Sequence, residues 1–85
     1  MRHARPEDLD RLAPLLEALR ALPGIKEKAR GVFYRGSKAF LHFHEDAGGL
    51  FADLRRDNDF ERFPVTTAKE RSAFLTAARK VLRDA

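Results

Sequence analysis

The chain is 85 residues long, has no cysteine, and sets 17 Lys+Arg against 13 Asp+Glu for a formal net charge of +4. That length holds a single domain, residues 1–85; the missing cysteines exclude disulfides and thiolate metal ligands, and no apolar run approaches the roughly 20 residues that cross a bilayer. The first ten residues are charged and lack the apolar stretch of a secretory signal, so a soluble cytoplasmic domain without membrane contact is expected.

A chain this short buries only somewhat over ~60% of its unfolded surface, which leaves a thin stability margin. Twelve of the cations are arginine, the side chain suited to phosphate and carboxylate. The two signs of charge are interspersed rather than blocked into a tail.

Residues 6–22 carry Leu9, Leu12, Ala13, Leu16 and Leu19 at spacings of three and four, the apolar stripe of a helix. Glu7, Asp8 and Asp10 fall near its start, where the helix dipole favours anions. Pro14 interrupts the pattern by removing an N–H and crowding the preceding turn. Either the helix kinks there, or a short piece over 6–12 gives way to a second helix starting near Pro14. Leu22-Pro23-Gly24 then ends it. Residues 25–30 read equally as an edge strand or a connector, and His3 reads as a tail residue.

From Gly31 the apolar period changes to two, the period of a strand. Gly36-Ser37 suits a two-residue type II′ hairpin loop, which opposes Arg35 to Lys38, Tyr34 to Ala39 and Val32 to Leu41. A loop at Ala47-Gly48 opposes Phe43 to Ala52 and Leu41 to Leu54. A turn over 57–60 opposes Leu54 to Phe63 and Ala52 to Val65. The strands 31–35, 38–45, 50–56 and 60–65 then form a four-stranded antiparallel meander. One face gathers Val32, Tyr34, Ala39, Leu41 and Phe43; Leu50, Ala52, Leu54, Phe63 and Val65 continue it. That face needs a helical layer.

Thr67-Ala68-Lys69-Glu70 has the spacing of a capping box. It opens a helix over 67–83 with Phe74, Leu75, Ala78, Val81 and Leu82 on one stripe. Helix, four-stranded meander and helix make an α+β two-layer sandwich.

The same register gathers Phe33, Arg35, Lys38, Phe40, His42 and His44 on the outer face of the sheet, with Phe51, Asp53, Arg55, Arg62 and Pro64 beside them. Three phenylalanines on a wet face call for a cover. The leading expectation is therefore a non-enzymatic interaction module, a homodimer built on Phe33, Phe40 and Phe51 with His44, Arg35 and Arg55 around them. A second reading is nucleic acid, with bases stacked on the rings and phosphates held by Arg35, Lys38, Arg55 and Arg62. A third is a metal or hydrolytic site at His42, His44 and Asp53, three ligands with an open position. No nucleophile triad, phosphate loop or dinucleotide fingerprint occurs, and no cofactor is expected.

Leu22-Pro23-Gly24-Ile25 closing a helix, then Phe33, Gly36-Ser37-Lys38-Ala39-Phe40, Asp46 and a strand with Leu50 and Leu54, resembles the first half of the MmcQ/YjbR-like family of small bacterial proteins. The resemblance spans 22–54. It implies a compact α+β fold, comparable with double-wing DNA-binding domains and without an established enzymatic activity. It assigns no site residue.

Overall fold

Pro14 decides where the first helix divides. Its ring cannot sit inside a helix without forfeiting a hydrogen bond, and Leu12 leaves helical geometry (ψ 8°) between α1 (Pro6–Arg11) and α2 (Ala13–Arg20). Pro14 itself falls in the first turn of α2, where no intrahelical bond is lost. The expected second helix near Pro14 is thus the arrangement adopted. The break also shifts the apolar stripe, so that Leu9, Leu12, Leu15, Leu16 and Leu19 are buried while Ala13 is exposed.

The computed structural model describes residues 2–84. Strands β2 (Lys26–Ala29), β3 (Val32–Arg35), β4 (Lys38–Asp46), β5 (Gly49–Arg56) and β6 (Asp59–Pro64) follow one another across an antiparallel sheet, and β1 (Arg2–His3) pairs with β4. The ambiguous 25–30 segment is therefore an edge strand, and the sheet has six strands rather than four. β5 lies along one side of β4. The other side is shared, with β3 against residues 38–41 and β1 against His44 and Glu45. Helices α1, α2 and α3 (Ala68–Asp84) cover one face, which makes the molecule a two-layer α+β sandwich. Among the described residues no helix is long and apolar enough to cross a membrane.

Tight turns set the ladders. Gly36 takes φ 62°, as the first position of a type II′ loop requires, and Ala47 and Gly48 take φ 51° and 82°, as in a type I′ loop. The β4–β5 register follows, with Phe43 opposite Ala52 and Leu41 opposite Leu54 as expected. At the next turn Asp57 adopts φ 55° and Arg56 opposes Asp59. The β5–β6 ladder is accordingly two residues from the expected one, with Ala52 opposite Phe63 and Leu54 opposite Glu61. A shift of two leaves every side chain on its face.

One irregularity changes more. Arg35 opposes Lys38 and Tyr34 opposes Ala39, but Phe33 then opposes Leu41, so Phe40 is an extra residue on β4. This β-bulge breaks the alternation. Phe40 and Leu41 both turn inward, at 1% and 0% exposure, and Phe33 joins them at 0%. The expected outer cluster of Phe33, Phe40 and Phe51 therefore does not form. Two of its rings belong to the core, whereas Val32, Tyr34 and Ala39 are only half-buried. Each ring removed from water contributes ~1.5–3 kcal/mol.

The last helix closes the layer. Glu70 N–H donates to Thr67 Oγ1 at 3.1 Å, and Thr67 N–H donates to Glu70 Oε1 at 2.9 Å, which forms the expected capping box. α3 buries Phe74 and Ala78, and the Phe74 ring meets Phe43 and Phe63 edge-on at 6.2 and 5.5 Å. At the other end of the chain, Asp8 is buried and accepts the Arg5 N–H at 2.9 Å and Arg11 Nη2 at 3.0 Å. The Arg5 backbone bond lowers the Asp8 pKa most, against a desolvation that raises it, and the charges of Arg11 and Arg2 add to the lowering.

Replacing Phe40 by Ala is expected to destabilise the protein by about 3–5 kcal/mol, the range for emptying a core aromatic site. Urea unfolding followed by circular dichroism reads this directly; an unchanged midpoint would contradict the inward placement. Asp8 contributes fully above its ordinary value of 3.8 and loses that contribution as the pH falls below it. The Asp8→Asn variant is therefore expected to unfold at lower temperature near neutrality, and to show a shallower loss of stability on acidification below pH 4 than the parent chain.

Candidate metal centre

Beyond the bulge, β4 regains strict alternation. Phe43 points into the core, and His42 and His44 point to the face away from the helices. β1 supplies a third imidazole. His3 opposes His44, and Ala4 N–H donates to the Phe43 carbonyl at 3.1 Å, which fastens the segment alongside β4. His3 is thus a strand residue and not a tail residue. Its ring stacks on His44 at 5.0 Å and 29°, while His42 meets His44 edge-on at 4.8 Å.

One nitrogen from each of His3, His42 and His44 lies within 4.8 Å of the other two. His42 Nδ1 and His44 Nε2 are enclosed and have no hydrogen-bond partner. Such orphaned groups are rare, because each leaves ~1–3 kcal/mol of desolvation uncompensated. His44 Nε2 does lie 3.0 Å from Asp53 Oδ2, so a carboxylate stands at ion-pair distance from it.

Asp53 opposes His42 across the β4–β5 ladder, as expected, but it is committed elsewhere. Arg62, its neighbour on β6, donates from Nε and Nη2 to the two carboxylate oxygens at 2.8 and 2.9 Å. The expected trio of His42, His44 and Asp53 is therefore replaced by His3, His42 and His44, with Asp53 standing behind His44. Burial alone would raise the Asp53 pKa; the Arg62 hydrogen bonds and charge, helped by His44 and His42, hold it below the ordinary range. His42 is shifted down, first by burial and then by His44, with His3 and Arg62 adding to the effect and Asp53 opposing it. A lowered imidazole pKa keeps the ring neutral with a free lone pair, the state a metal requires.

The remaining candidates separate. Phe51 is half-buried on the outer face. Arg55 Nε donates to the Ala39 carbonyl at 2.6 Å, and its guanidinium lies 4.6 Å from the Phe60 ring centre. Arg35, Lys38 and Arg55 line one cleft, whereas Arg62 is held on Asp53, so the expected phosphate-binding set does not form a single patch. Among the described residues Phe60, at 40% exposure, is the one large hydrophobic side chain left open. A self-association built on Phe33 and Phe40 has lost its two principal rings. No family model, curated protein or solved structure matches this chain.

Because one imidazole nitrogen is enclosed and unpaired at His42, an apolar ring of similar shape removes a penalty. His42→Phe in the metal-free protein is expected to be as stable as the parent or more so. A clear drop in its melting temperature would mean that His42 Nδ1 is satisfied after all.

Proposed function

We propose that this protein binds a divalent transition-metal ion through His3, His42 and His44. The convergence of three imidazoles, with the enclosed His42 Nδ1 left without a partner, supports this reading, because an ion is the partner that would satisfy it. Neutral imidazoles suit zinc, copper or nickel rather than magnesium or calcium. An ion at 2.0–2.1 Å from each nitrogen needs those nitrogens about 3.3 Å apart, so binding draws the present 4.8 Å cluster together. His3 is the exposed member and has room to move. Asp53 stands 3.0 Å from His44 Nε2, so His44 is left to bind the ion through Nδ1 while the carboxylate orients its ring from the other nitrogen. Three protein ligands leave a fourth position for water or an exogenous anion.

Titration of the chelator-treated protein with Zn²⁺ or Ni²⁺, followed by calorimetry, is expected to give one site per chain. Removing any one histidine is expected to weaken that site by at least about 100-fold, and Asp53→Asn by about 10- to 100-fold. Binding that is undetectable at micromolar concentrations, or that survives the combined loss of His42 and His44, would overturn the proposal.

A further inference from the structure

The arginines do not all have the same surroundings. Seven of the 12, namely Arg2, Arg11, Arg20, Arg30, Arg56, Arg62 and Arg83, lie within ion-pair distance of a carboxylate. Among the described residues the other five do not. Of these, Arg71 donates to the Val65 and Thr66 carbonyls, and Arg5 sits at the start of α1. Arg35 and Arg55 line a cleft of about 410 Å³, and Arg79 lines an adjoining hollow that shares Arg35. Lys38 and Lys80 line the same cleft, also without a carboxylate partner among the described residues.

The fold brings these cations together from three elements. The β3–β4 hairpin supplies Arg35 and Lys38, the end of β5 supplies Arg55, and the last turns of α3 supply Lys80. The bulge at Phe40 turns its ring inward beneath them, with the Arg35 guanidinium 5.9 Å from the ring centre, and Val81 lies alongside. Arg56, Asp57 and Asp84 complete the lining, so five cations face two acids there. Of the chain's net charge of +4, +3 lies around this one hollow. Arg56 and Asp84 are engaged with Glu61 and Arg83. Like charges gathered without counter-charges repel one another. A protein that pairs most of its arginines, and spares those around a cleft, has left donors free for an anion.

We infer that this cleft binds a small phosphorylated molecule, its phosphoryl oxygens on Arg35, Lys38 and Lys80 and its less polar body against Val81. Arginine forks match phosphoryl oxygens geometrically. The volume falls within the ~300–1,000 Å³ of small-molecule sites. The cleft lies at the hairpin end of the sheet and none of the three histidines lines it, so the inference does not rest on the metal reading.

The test uses ADP and inorganic pyrophosphate as probes, added to the full chain at low salt. Amide chemical shifts and calorimetry are recorded together. Saturable binding is expected, with shifts centred on 35–40 and 79–83. Arg35→Ala and Lys80→Ala should each weaken binding about tenfold or more. Arg30→Ala, whose guanidinium is paired with Asp10, should leave it unchanged, as should His42→Phe. Four results would overturn the inference: no saturation by either probe at millimolar concentration, equal weakening by Arg30→Ala, loss of binding in His42→Phe, or tight salt-dependent binding of a single-stranded oligonucleotide without binding of the small probes. The third would place the anion at the histidines, and the fourth would make the cleft a nucleic-acid surface.

Discussion

The ladder between β4 and β5 is the constraint on which the other parts depend. Six consecutive pairs, from Leu41–Leu54 to Asp46–Gly49, leave no freedom about which way β4 faces. Leu41 and Phe43 are thereby committed to the core, and His42 and His44 to the opposite face. The helices have a surface to cover because of that commitment, and β1 has a backbone edge to join beside His44. A slip of one residue would exchange core and site.

The same strand shows how far sequence reasoning reaches. Alternation of Leu41 and Phe43 with His42 and His44 is a local pattern, and it specified the central pairing and the two-layer α+β class. The capping box at Thr67 and Glu70 and the break at Pro14 are equally local, being consequences of hydrogen-bond supply within a few residues. The bulge at Phe40 has no such signature. Both Phe40 and Leu41 are apolar, and nothing in the chain marks where one residue is to be left out of the pairing. The burial of Phe33 and Phe40 thus depended on a non-local choice, and with it the reading of the outer face. The two-residue shift between β5 and β6 arose because Asp57 accepts a left-handed conformation, which acidic residues tolerate and composition alone does not announce.

The histidines divide along the same line. His42 and His44 were visible as a pair because their spacing is that of one strand face. His3 was not, because a strand of two residues is too short to have a period, and only tertiary pairing gives it a place. Asp53 was correctly placed opposite His42. Its commitment to Arg62 came from the β5–β6 ladder, whose register lies two residues from the expected one. A candidate set read from one hairpin is therefore revised by the strands on either side of it.

The edge strand β2 has a consequence for how these molecules behave in a crowd. An open strand invites another chain to add to it, and proteins discourage this with lysines and bulges at the margin. β2 presents Lys26 and Lys28 around Glu27, and its pairing with β3 is interrupted between Glu27 and Ala29. Glu27 is drawn back to Arg20 and to the Gly31 N–H, which holds the strand against its own domain. On the far margin, β6 exposes Glu61 and Arg62 and ends in Pro64, which has no N–H to offer a neighbour. Both rims of the sheet are therefore poor templates for strand addition.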